Sequence, residues 1–400
     1  MNTQQRRFEL PILLFSLFLA FFGISLVIPV MPTFMNELSI SGSVVGSLMA
    51  VFALTQLFAS PFTGRMADKV GRKITIIIGL IVFSLSELLF GIAKNVELLF
   101  ASRIFGGLSA AFIMPASTAF ITDITTIKSR PKALGYMSAA ISTGFIIGPG
   151  IGGFLAEFGT RMPFYFAAGF GMLACLLAVF LLKEPERNIE NVSSTSQENK
   201  SSIKRVFSPI FFIPLMTIFI SSFGLAAFDS LFSLYTDHKF GFTPMDISIM
   251  ITGGAIIGAV AQVALFDRMT VWWGEIRLVR YCLLLSIVLV FLMTVVENYI
   301  SIMVVTFTVF VGFDLIRPAV TNYLSKLAGD EQGFIGGMNS MFSSLGMVFG
   351  PLVGGVLFDI DLNYPFYFAA IVLVIGYIFA IFWRMERKQQ QTFNETTTEL

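Results

Sequence analysis

The sequence predicts an all-α membrane protein of twelve transmembrane helices, built as two six-helix bundles related by a pseudo-twofold axis along the membrane normal. Three observations predict it: the composition, the spacing of apolar segments, and an internal repeat. Of 400 residues, 56% are hydrophobic and 13% charged, with 45 Phe, 34 Gly and 19 Met. Soluble proteins carry about 25% charged residues. With a mean hydropathy of +0.82, this chain lacks the polar surface that a soluble protein needs.

A hydrocarbon core of about 30 Å takes roughly 20 apolar residues in a helix. Twelve segments meet that length. The first, 10–33, is too long for a cleaved leader and has no small-residue cleavage site before a soluble domain. Segments 43–64 and 73–93 flank a short basic stretch. Segments 97–122, 132–157 and 163–183 complete a first bundle over 1–183. The polar stretch 184–207 reads as a flexible cytoplasmic linker. Segments 208–234, 245–267, 275–296, 299–324, 332–358 and 364–384 form a second bundle over 208–386, and 387–400 is a polar cytoplasmic tail. A transmembrane β-barrel would show short alternating segments instead.

Lys and Arg set the orientation. With the N-terminus inside, 21 of these residues fall on the inner side and 3 on the outer: Lys94, Arg161 and Lys239. Both termini are therefore expected in the cytoplasm, which requires an even number of spans.

The halves repeat. Gly144-Phe-Ile-Ile-Gly148-Pro149-Gly-Ile-Gly152-Gly153 recurs as Gly346-Met-Val-Phe-Gly350-Pro351-Leu-Val-Gly354-Gly355, and Pro163-Phe-Tyr-Phe-Ala-Ala as Pro365-Phe-Tyr-Phe-Ala-Ala. Met114-Pro115-Ala116 echoes Arg317-Pro318-Ala319 and Phe22-Gly23 echoes Phe223-Gly224, so the offsets are 201 to 203 residues. Repeats in the same orientation are a layout of secondary transporters, which place the binding site between halves near the midplane.

Several classes are excluded. Net charge is +1 and no basic domain stands apart, so nucleic-acid binding is not expected. Cys175 and Cys282 lie in apolar runs and His238 is the single histidine, so neither a disulfide framework nor a metal site is expected. The phosphate-binding loop G-x-x-x-x-G-K-[ST] is missing, and no nucleophile triad is seen. An enzyme, ATP-driven transport and a bound cofactor are not expected.

Three constellations remain. Gly64-Arg65-Met66-Ala67-Asp68-Lys69-Val70-Gly71-Arg72-Lys73 reads as a tight turn on the inner side, with the glycines permitting the bend. Asp68 is positioned for a helix N-terminus or a basic side chain. Gly144, Gly148 and Gly152 share a helix face that admits a neighbouring helix, and Pro149 kinks the helix there. Charges inside spans form the third set. An Asp or Arg at a helix centre costs roughly 2.5–3.5 kcal/mol on insertion scales, so each needs a reason. Asp229 lies mid-helix where the first half has Ile28, and Asp314 and Arg317 sit at i and i+3, hence on one face. Leaving water shifts a carboxyl's balance between charged and neutral forms, so Asp229 and Asp314 could carry protons and hold a cation. A static Asp314–Arg317 pair is the alternative. Arg103 lies on the fourth span; Glu87, towards the outer end of the third, reads as structural.

The 64–73 stretch resembles motif A of the major facilitator superfamily. Arg103, in Ser-Arg-Ile-Phe-Gly-Gly, resembles the motif B arginine, and Gly144 to Gly153 resembles motif C of the twelve-helix drug:proton antiporters. Gly135-Tyr-Met-Ser-Ala, Phe313-Asp314-Leu-Ile-Arg317-Pro318 and Met338-Asn339-Ser340 are similar to the Gram-positive multidrug efflux group. The resemblance covers essentially the whole chain. It implies an Arg72–Asp123 pair that gates the inner face, and a pocket with Phe21, Phe52 and Gln56. It also implies exchange of hydrophobic, often cationic drugs for protons by a functional monomer in a Gram-positive cell membrane. Asp229 and Asp314 would carry protons, tuned by Arg317 and Arg103. Where relatives often have Asn before the second Gly-Pro, this chain has Met347. An importer of a small metabolite, or a lipid or glycolipid flippase on the same fold, are the alternatives.

Overall fold

A computed structural model describes residues 6–126, 129–185, 208–328 and 332–398. Most of the expected linker, 186–207, lies outside the described residues. The helices are α1 (Arg6–Leu26), α2 (Met31–Leu38), α3 (Gly42–Val70), α4 (Arg72–Ile92), α5 (Val96–Ile124), α6 (Arg130–Ala156), α7 (Met162–Leu181), α8 (Pro209–Phe240), α9 (Pro244–Trp273), α10 (Glu275–Val295), α11 (Tyr299–Ala328), α12 (Gln332–Ile360) and α13 (Tyr364–Thr398). Among the described residues there is no β-strand, and twelve helical spans are long and apolar enough to cross a membrane. Helices satisfy every backbone group internally, as a hydrocarbon environment demands.

The first span is longer than its apolar pattern predicts. It runs Glu9–Leu38, because α1 passes through one 3-10 turn, Ile28–Val30, into α2. Pro29 and Pro32 sit at the starts of those two elements, where a missing N–H costs little, so the chain bends and continues.

The stretch 64–73 is not a loop. α3 stays helical through Val70, and the chain reverses at Gly71 alone, whose φ of 124° favours glycine. Gly64 lies inside the helix, and a Cβ there would meet nothing closer than Pro115 Cβ at 3.9 Å. Gly274 does the work of Gly71 between α9 and α10, with φ of 73°.

The chain divides into two compact units. One holds α1–α7 together with residues 233–252; the other holds the rest of α8 and α9 with α10–α13. In the first unit α4 packs on α5 and α7, α3 on α5, and α1 on α6 and α7. Glycines explain the closeness of α6 to α1. A Cβ at Gly144 would stand 2.8 Å from Phe22 N, one at Gly148 would stand 2.8 Å from Phe22 O, and one at Gly152 would strike the Leu26 carbonyl. Ser25 Oγ donates to Gly144 O at 3.0 Å across the contact. Gly153 faces elsewhere: its added Cβ would lie 2.9 Å from Pro244 O, and Ser248 Oγ donates to Pro149 O at 2.7 Å. In the second unit α10 packs on α11 and α13. There Gly346 and Gly350 bring α12 onto the backbone of α8 at Phe219 and Phe223.

Candidate functional site: a charged cleft in the second unit

α8, α11 and α12 line an open cleft. α8 contributes Ser221, Ser222, Leu225, Ala226 and Asp229; α11 contributes Phe313 and Arg317; α12 contributes Ser343 and Met347. Asp229 and Arg317 are its two charged residues. Asp229 opens onto the cleft. Ser222 and Ser343 hydroxyls meet at 3.1 Å and tie α8 to α12 at the wall. The serines carried no sequence signal, because a hydroxyl on a helix usually bonds its own carbonyl one turn back.

Asp314 and Arg317 do not act as one pair, contrary to their i, i+3 spacing. Asp314 turns to α9, where its Oδ2 occupies the space a side chain at Gly258 would need. Arg317 turns into the cleft with Asp229. Among the described residues Arg317 has no ion-pair partner. Asp229 and Asp314 are close enough for each carboxyl to feel the other.

The remaining expected residues lie in the first unit. Phe21 belongs to the α1–α6 contact, its ring 5.4 Å from that of Phe145. Phe52 and Gln56 belong to the α3–α5 contact: Cβ atoms added at Gly106 and Gly107 would stand 3.1 Å from the Phe52 ring and 3.2 Å from Gln56 N. Arg103, on α5, is buried with its guanidinium carbon 4.2 Å from the Phe90 ring centre.

Arg72 opens α4 and gathers the basic turn into a network. Its Nε donates to Asp123 Oδ2 of α5 at 3.1 Å, and its Nη1 donates to Asp68 one turn back on α3. Lys73 Nζ donates to Val179 O of α7 at 2.8 Å. Glu184, just past α7, completes the network: its carboxylate accepts from Arg72 N and from Lys73 N at 2.9 Å, capping α4. In the sequence Glu184 falls at the start of the polar stretch 184–207, which hides its role. An acid directly after a span, opposite a basic turn that begins a helix, was the available signal.

These features define a polytopic, all-helical membrane transporter with repeated halves. A family model described as Major Facilitator Superfamily matches residues 13–347 and again 273–399, and the chain belongs to that superfamily. It is 65% identical over 381 residues to Multidrug resistance protein 1 of Bacillus subtilis (strain 168), covering 95% of this chain and 97% of that protein. It is 44% identical over 382 residues to Quinolone resistance protein NorA of Staphylococcus aureus (strain MRSA252), covering 95% and 98%. Among solved structures, a bacterial homologue of the human lysosomal transporter Spinster, inward-facing and unoccupied, superposes with a TM-score of 0.79 at 16% identity over 96% of this chain and 98% of that one. At that identity the likeness concerns the fold.

Proposed function

We propose that the protein exports hydrophobic, often cationic drug-like compounds across the cell membrane in exchange for protons, with both termini in the cytoplasm. The observation that carries this reading is the Asp229 carboxyl in a cleft walled by Leu225, Ala226, Phe313 and Met347. The relatives' names, multidrug and quinolone resistance proteins, point to the same substrates.

The chemistry follows from the side chains. An ionised Asp229 attracts a cation, the more so as a bound apolar compound displaces water from the cleft. Phe and Met surfaces adapt to ligands of different shape. Protonating Asp229 removes the attraction and releases the cation. Arg317, in the same cleft, competes for the carboxylate and so sets how tightly a cation is held. Asp314, within electrostatic reach of Asp229, makes protonation of one carboxyl depend on the other. No cofactor takes part; the proton gradient drives the exchange. The Arg72–Asp123 network would hold the inner gate, and Phe21, Phe52 and Gln56 would line a substrate pocket of the first unit.

Expression in a bacterial host lacking its own exporters tests the reading. Resistance to ethidium and to a fluoroquinolone should rise together, and ethidium accumulation should fall until a protonophore is added. Export that survives the protonophore would contradict proton coupling, and unchanged resistance to a broad panel would contradict the substrate class.

A further inference from the structure

A buried acid and base meet in the first unit, away from the cleft. Glu87 of α4 is 2% exposed and Arg103 of α5 is 6% exposed. The two interact electrostatically, yet they form no ion pair. Among the described residues Glu87 Oε2 has no hydrogen-bond partner, and neither do Arg103 Nε and Nη2. The neighbouring hydroxyls have no proton to give the carboxylate. Ser86 Oγ donates to Ser102 O at 2.8 Å and Ser102 Oγ to Ser86 O at 2.9 Å, a reciprocal clasp between α4 and α5. The guanidinium instead lies over the face of Phe90.

Among the described residues, no charge other than Arg103 addresses Glu87. α3 carries no charged side chain between Gly42 and Gly64, and α7 brings Tyr165 and Cys175 as its titratable groups. Arg161, just before α7, is engaged by the Gly91 and Ala93 carbonyls and by Glu37. Nor does the repeated scaffold require the pair. The positions 203 residues on, in the matching α10–α11 contact, are Val290 and Thr306, both fully buried.

An ionised Glu87 left unpaired beside an arginine in this setting is strongly disfavoured, since the two would close into a hydrogen-bonded pair. The arrangement seen, with the carboxyl open and the arginine on an aromatic face, suits a neutral carboxyl. We propose that Glu87 is a proton-binding site of the first unit, additional to Asp229 and Asp314. In this form a proton sits on its carboxyl and Arg103 rests on Phe90; on loss of that proton Arg103 turns to pair with the carboxylate. The only bond made or broken on the protein is the carboxyl O–H, whose proton passes to and returns from water. The role of this proton in transport rests on the exchange proposed above.

Two readouts on the full-length protein separate the site from that reading. Infrared titration of purified protein should show a protonated-carboxyl band that responds to pH and is absent in Glu87→Gln. In proteoliposomes, Glu87→Gln should keep ethidium-for-ethidium exchange and lose acceleration by a pH gradient, while Glu87→Asp should restore that acceleration with a displaced pH midpoint. An unchanged band in Glu87→Gln would overturn the site. Should Glu87→Gln not fold, an Asp variant with the wild-type band and pH midpoint would overturn it equally. If the wild type shows the band but no gradient-driven transport, the proton site stands and the antiport reading fails.

Discussion

Glu275 accepts a hydrogen bond from Lys326, and the two stand 203 residues after Arg72 and Asp123. The same bridge between matching helices thus occurs in each unit with its charges exchanged. In the first unit the base opens α4 and the acid closes α5; in the second the acid opens α10 and the base closes α11. Asn322 Nδ2 also donates to Glu275 at 3.0 Å. An acid in the first turn suits the helix N-terminus directly. In the first unit, where a base takes that place, Glu184 supplies the missing acid.

Exchanging charges within each bridge should therefore be tolerated better than breaking it. Glu275→Lys should lower thermal stability in detergent, and Glu275→Lys with Lys326→Glu should recover part of the loss. Lys326 is 62% exposed, so the bridge itself is worth at most about 1 kcal/mol. The Arg72→Ala loss should exceed it, because that residue serves Asp68 and Asp123 at once.

Gly258 makes room for Asp314. Gly258→Val should displace the carboxyl and reduce export of cationic dyes at normal protein abundance. Gly135→Ala, on α6 where an added Cβ meets nothing within 4 Å, should leave export unchanged. Dye efflux from intact cells, normalised to protein in the membrane, checks both.

The glycine face of α6 should respond by position. Gly148→Ala and Gly152→Ala force a methyl into the backbone of α1 and should cost about 1–3 kcal/mol in stability. Gly150→Ala, with its nearest neighbour Thr252 Oγ1 at 3.3 Å, should cost less. Thermal unfolding of the three variants in one detergent ranks them.

Met347 lines the cleft with Asp229, so Met347→Asn places an amide beside the carboxyl. A net hydrogen bond is worth about 0.5–1.5 kcal/mol, or roughly 2- to 10-fold in affinity. Substrates with polar groups near the cation should gain by that factor over purely apolar cations. Competition for dye efflux by a graded set of cations reads the change.

The spans were legible in the sequence because a bilayer imposes one period and one length on every helix. The repeat was legible because both halves keep Gly and Pro at packing contacts. What escaped was contact between helices. Positions i and i+3 share a face, yet their side chains point about 60° apart around the axis, enough for Asp314 to meet α9 while Arg317 meets the cleft. Gly64 and Gly71 looked alike as turn glycines, and only backbone geometry separates them. Glu184, Ser222 and Ser343 owe their places to partners more than a hundred residues away.

Everted membrane vesicles test the central claim, that Asp229 couples drug and proton. The vesicles are energised until their interior is acid, and tetraphenylphosphonium or a fluoroquinolone is added. The account predicts that the compound dissipates the gradient only where the protein is present, and that Asp229→Asn abolishes the effect without lowering abundance. Undiminished proton release in that variant would contradict the account.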